Sequence, residues 1–205
     1  MSIDDTYVNK LLQSLNPSGS RVDSYVYSGH EACARVLNPA HDALGRAVKW
    51  RDIAPAQFDP RSDIQWADLG VDLYDGVVEP AMGSPDATMS AELLQCLGSW
   101  QTHTLVSAQW IGYADVELGG GPDEITFPPG RASSLRAVTS DDLVRRRRIP
   151  MRWFHPQIEW VVGNDIYGRS LFVSGSLDAV GAIVTSPSLE AYRVDFRDPV
   201  SAEDW

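Results

Sequence analysis

Four histidines, His30, His41, His103 and His155, are the side chains best suited to proton transfer or metal binding near neutral pH. No two are three to five residues apart, and neither Cys33 nor Cys96 makes a zinc-type spacing with them. A metal centre would have to gather distant residues, for example His30 and His103 with Glu31, so the reading calls for no metal and no cofactor. The same three residues are the candidates for a small-molecule hydrolase pocket in which a histidine and a carboxylate exchange a proton. Asp115, Glu117, Glu159 and Asp165 also sit on or beside expected strands, and spacing alone does not choose an acid–base pair among them.

Nucleophilic chemistry has little local support. The chain has no Gly-x-Ser-x-Gly elbow. Val173-Ser174-Gly175-Ser176-Leu177-Asp178 places hydroxyls between a strand and a helix, where Ser176 serves as the helix cap. Gly119-Gly120-Gly121 is followed by Pro122-Asp123-Glu124 and not by the Lys-Ser or Lys-Thr of a phosphate loop.

The dense positive charge is Arg145-Arg146-Arg147-Arg148. At a helix C-terminus such a run complements the helix dipole and pairs with the chain's own acids; as a surface it is the leading binding candidate. Of the seven tryptophans, Trp100, Trp110, Trp153 and Trp160 fall in expected regular elements and read as core. Trp50 and Trp66 lie in less regular stretches and are candidates for a groove or an interface.

The whole chain narrows these options. With 205 residues, 43% apolar and 22% charged, it is long and apolar enough for one folded domain over 1–205. A net charge of −11 opposes attraction to phosphate backbones and anionic lipids, so no nucleic acid or membrane partner is expected. The widely separated cysteines read as buried, reduced thiols, and no secretory signal or membrane-length apolar run is visible. These features predict a cytoplasmic protein.

The elements that must position the candidates follow from periodicity. Residues 4–15 predict a helix with Asp4 or Asp5 at its start, and 22–28 and 31–37 predict a hairpin ended by Asn38-Pro39. One helical turn is expected at Trp50–Ala54, with irregular chain over 56–87 and short turns near 64–69. Residues 89–104 predict the best helix, capped by Thr88 or Ser90. Strands are expected at 105–116 and 131–138, then a short helix after Thr139. The central stretch, Trp153 to Ser176, reads as strand, turn and strand: Ile158, Trp160 and Val162 alternate with Glu159 and Val161, Asn164 to Gly168 carries the turn, and Ser170 to Ser174 is a short apolar run that leads into a helix at 177–184. Residues 192–196 close the chain as a strand.

The chain resembles a group of uncharacterised actinobacterial proteins of similar size. The residues carrying the resemblance are Gly29 to Ala40, Trp50 with Ile53-Ala54, Gln65-Trp66, His103-Thr104 with Trp110 and Gly112, Pro129 with Arg131, and the central hairpin. Phe154-His155-Pro156 and Tyr167 depart from the group's hairpin pattern. The resemblance implies a fold and assigns no catalytic residue.

The expected architecture is α+β, a mainly antiparallel sheet with the helices at 4–15, 89–104 and 177–184 packed on one face. The leading functional reading is a soluble, non-catalytic protein-binding module, immunity-like or regulatory, whose partner is another protein. The alternative is the small-molecule hydrolase.

Overall fold

The computed structural model describes residues 3–54, 59, 61–70, 76–98, 104–112, 124–128, 130–146 and 149–201. The strands are β1 (Ala32–Leu37), β2 (Ala40–His41), β3 (Ala47–Val48), β4 (Thr104–Trp110), β5 (Glu124–Phe127), β6 (Arg131–Thr139), β7 (Arg152–Phe154), β8 (Val161–Gly163), β9 (Ser170–Gly175) and β10 (Ala191–Val194). Eight of them form one sheet in the order β10-β1-β9-β8-β7-β4-β6-β5, while β2 and β3 form a separate hairpin. Every neighbouring pair in the large sheet is antiparallel.

The helices are α1 (Asp5–Ser14), α2 (Trp50–Ile53), α3 (Ala87–Cys96), α4 (Ser140–Val144) and α5 (Leu177–Thr185). Side-chain caps set their starts by accepting backbone N–H groups that have no partner inside the helix. Asp4 caps α1 through Thr6 N at 2.9 Å, Thr139 caps α4 through Asp142 N at 3.0 Å, and Ser176 caps α5 through Ala179 N at 3.2 Å. For α3 the cap is Asp86, which accepts from Met89 N at 2.7 Å, two residues before the expected Thr88. That helix stops at Cys96, where Gly98 at φ +66° takes the left-handed conformation that ends it. No helix among the described residues is long and apolar enough to cross a membrane.

The α+β class and the antiparallel sheet are as the periodicity predicts. On one face, Leu93 and Leu94 of α3, Leu143 of α4 and Ile183 of α5 pack on Leu105, Trp153, Val162 and Val173. On the other face, Val8 and Leu11 of α1 pack on Val106, Phe154, Val161 and Phe172. The single covered face therefore describes α3 and α5, whereas α1 covers the opposite side. The physical reason is that successive strand residues point to opposite faces, and here both sets are apolar and need a cover.

Two local expectations change. Residues 22–24 form a 3-10 turn closed by Tyr25 N to Val22 O at 3.0 Å, where a strand was expected. Val22, Ser24 and Val26 are all fully buried because this irregular segment lies over the α1 face of the sheet, so their alternation reports packing and not strand pairing. The strand expected from Ile158 begins at Val161. Ile158 sits at φ 49°, a rare conformation for a β-branched residue, in a turn closed by Ile158 N to His155 O at 2.7 Å.

One transverse row organises the α1 face. Register places Leu135, Ala108, Arg152, Gly163, Phe172, Arg35 and Tyr192 side by side across β6, β4, β7, β8, β9, β1 and β10. Directly paired residues project to the same side, so two arginines emerge in one row with Gly163 and Phe172 between them. Both are buried, Arg35 at 3% exposure and Arg152 at 6%.

Gly163 is required there by close approach. A Cβ on it would lie 2.2 Å from the Tyr25 carbonyl oxygen and 3.3 Å from Arg152 Nε. Gly181, inside α5, has open space around the same position. Gly163→Ala is expected to destabilise the fold by about 1–3 kcal/mol through overpacking. Gly181→Ala is expected to stabilise it by about 0.5–1 kcal/mol through helix propensity. Urea denaturation of both variants checks the opposite signs.

Candidate functional site

The 3-10 turn at 22–24 and the residue after it direct backbone carbonyls at the sheet, and Arg152 on β7 receives them. Its Nε donates to Tyr25 O at 3.2 Å and its Nη2 to Ser24 O at 3.1 Å. The guanidinium lies over the Phe127 ring, 4.5 Å from its centroid. Among the described residues its Nη1 has no hydrogen-bond partner, and no carboxylate pairs with it.

Arg152 lines a small cleft with Tyr25, Trp110, Phe127, Arg131 and Asp165. Arg131 sits over the Trp110 ring at 5.1 Å and donates from Nη2 to Asp165 Oδ2 at 3.1 Å. Among the described residues lining the cleft there are thus two guanidinium groups and one carboxylate, a net positive set in an acidic chain. Burial pushes the Arg152 guanidinium down to about 10, which leaves it charged at neutral pH. Burial, with Asp165 adding to it, pushes the Tyr25 phenol up to about 12, so it stays neutral and donates to Gly19 O at 2.6 Å.

The chain matches no family model, no curated protein and no solved structure. The functional reading therefore rests on geometry.

The residues singled out by sequence lie elsewhere. His30 is partly buried against Tyr27, and its two ring nitrogens are both engaged. Nε2 donates to Ile158 O at 2.6 Å, because a carbonyl can only accept, and Nδ1 accepts the Ser174 hydroxyl at 2.8 Å. A serine, a histidine and an orienting acceptor in this order resemble an activated nucleophile, but Ser174 is fully buried and meets no substrate. Glu31 points away to the start of α5, where its Oε2 accepts Leu177 N at 2.9 Å. His103, the third hydrolase candidate, lies outside the described residues.

Trp50 and Trp66 are buried and meet edge to face with ring centroids 5.2 Å apart, packed in a core cluster with Leu37, Ile64 and Leu69. Trp50 N and Arg51 N both donate to the buried carboxylate of Glu190, which also accepts Tyr192 OH at 2.7 Å. In the basic run, Arg145 is exposed and pairs with Asp141 at 2.9 Å, one helical turn back. Arg146 is half-buried, and burial with the nearby Arg136 charge holds its guanidinium below the usual arginine range. Arg147 and Arg148, like Asp115, Glu117, Trp100 and the triple glycine, lie outside the described residues. Cys33 in β1 is buried, which pushes its thiol up to about 12 and makes it unreactive. No group of three or more His, Cys, Asp or Glu residues gathers for a metal among the described residues.

Arg152 and Arg131 escaped sequence reasoning. The available signal was a charged residue between Met151 and Trp153-Phe154, inside a stretch that is otherwise apolar.

Burial lowers the His30 pKa below its ordinary 6.5. Below that value the unfolded chain takes up a proton that the folded chain does not, so the contribution of His30 to stability is full above it and declines as pH falls. His30→Asn is expected to cost about 1–3 kcal/mol near pH 7 by leaving polar partners unsatisfied. The gap from wild type should narrow as pH falls below about 6.5. Denaturant melts of both proteins across this range check it.

Proposed function

We propose that this chain is a non-catalytic binding module that receives an acidic group of a protein partner in the Arg152 cleft. The observation that carries the reading is a buried, charged guanidinium, anchored on two carbonyls and one aromatic ring, with one nitrogen unused beside a cleft. A charge removed from water costs several kcal/mol unless it is paired. An incoming carboxylate supplies that pairing at the moment of binding.

Three further features favour a protein partner. The free volume of the cleft is about 20 Å³, so it admits the tip of one group and not a whole small molecule. Arginine and tryptophan, both present at this cleft, are the residue types that dominate binding energy at protein contacts. His30 and Glu31, the residues best placed for hydrolysis, hold a loop and a helix end. Cytoplasmic location and membership of the actinobacterial group complete the proposal.

Arg152→Met tests it, because methionine keeps much of the side-chain bulk while removing the charge. Losing the donors to the Ser24 and Tyr25 carbonyls is expected to destabilise this variant by about 2–4 kcal/mol, so a denaturant melt first establishes that it is folded under the binding conditions, and Arg152→Lys, which keeps a charge and a donor, is compared beside it. Tagged wild-type protein should retain a stoichiometric partner from its own host, Arg145→Glu should retain it equally, and Arg152→Met should lose it by about tenfold or more. A partner held equally by Arg152→Met would exclude the cleft as the binding site.

A further inference from the structure

The charges around the cleft are unequal and fixed. Among the described residues lining the cleft, Arg152 and Arg131 contribute two positive charges and Asp165 one negative, a sum of one positive charge. Asp165 is tied down at both oxygens: Oδ1 accepts Tyr167 N at 3.0 Å and Oδ2 accepts Arg131 Nη2 at 3.1 Å. It therefore stays in place when a ligand arrives. Its side chain is 16% exposed and that of Arg131 19%, so solvent screens this pair only partly.

A singly charged anion neutralises such a site. A dianion leaves one negative charge in excess beside the Asp165 carboxylate, where repulsion is stronger than in water. Shape acts in the same direction. A planar guanidinium matches a carboxylate edge to edge.

We infer that Asp165 is the specificity determinant of this cleft: by holding its charge at one positive, it selects a carboxylate and rejects a phosphate. The inference rests on the binding reading above. Its source on a partner is an aspartate or glutamate side chain, or a chain terminus.

The test is calorimetric titration with acetate, inorganic phosphate and a blocked peptide bearing one glutamate, at fixed ionic strength and about pH 8, where phosphate carries close to two charges. Wild-type protein should bind acetate at least about tenfold more tightly than phosphate. Asp165→Asn, which retains an acceptor for Tyr167 N, should bind phosphate about tenfold more tightly and lose the preference. Asp165→Glu, which keeps the charge, should retain it.

Equal affinity for acetate and phosphate in the wild type, or an unchanged ratio in Asp165→Asn, would overturn the role of Asp165 and leave the cleft as a general anion site. Loss of preference in both variants would overturn it too, by showing that packing and not charge decides. Absence of anion binding in the wild type, or undiminished binding in Arg152→Met, would instead overturn the binding reading itself. A peptide that binds more tightly than acetate supports a carboxylate carried by a protein chain. A peptide that binds no more tightly overturns the protein partner while leaving the carboxylate assignment intact.

Discussion

Irregular chain laid over a sheet brings backbone carbonyls into a region without water, and those carbonyls need donors. Two such segments cover the α1 face of this protein, one at 22–25 and one at 61–64. Each is received by an arginine from the same transverse row of the sheet. Arg35 donates from Nε to Ser170 Oγ at 2.8 Å, from Nη1 to Arg61 O at 2.8 Å and from Nη2 to Ile64 O at 2.7 Å. Arg152 does the equivalent for Ser24 and Tyr25. A guanidinium suits this work because its donors form a rigid fork that reaches two carbonyls at once. Gly163, between the two, lets the Tyr25 carbonyl come close enough to be reached.

The difference between the two arginines is where structure becomes function. Every nitrogen-bearing arm of Arg35 ends on the protein, and its role is closed. Arg152 makes two longer bonds, at 3.2 and 3.1 Å, and has one arm that no described residue engages, beside a cleft walled by Trp110 and Phe127. Fixed donors bind with little loss of freedom, so an arginine immobilised by the fold is already arranged for its ligand. The carbonyls and the aromatic face offset part of the cost of holding that charge in the interior.

Much of the fold was legible because its signals are local. Asp4, Thr139 and Ser176 announce helix starts by their own chemistry, and the short apolar run at 170–174 marks β9 as a strand buried on both faces. The errors arise where distant contacts override the local pattern. Val22, Ser24 and Val26 have the spacing of a strand face but are buried with Tyr25 in an irregular segment, and Ile158 is held at positive φ by a turn and a buried side chain. β5 and β7 are too short for periodicity to register. The candidate site was the least legible part. Its three charged residues come from β6, β7 and the turn after β8, and only sheet register brings them together. The conspicuous features misled for the converse reason: Arg145 already pairs within its own helix, and Trp50 and Trp66 pack on each other.

On the proposed function, Arg152 is a charged, protein-anchored guanidinium whose one remaining arm receives an external carboxylate. Nitrogen-detected NMR of the arginine side chains, recorded while acetate is titrated in, addresses each arm separately. The expected result is a saturable shift at Arg152 Nη1, with Nε and Nη2 held by Tyr25 and Ser24 and nearly unmoved, and no response from Arg35. An Arg152 Nη1 signal indifferent to acetate would contradict it, as would one already protected from exchange before any anion is added.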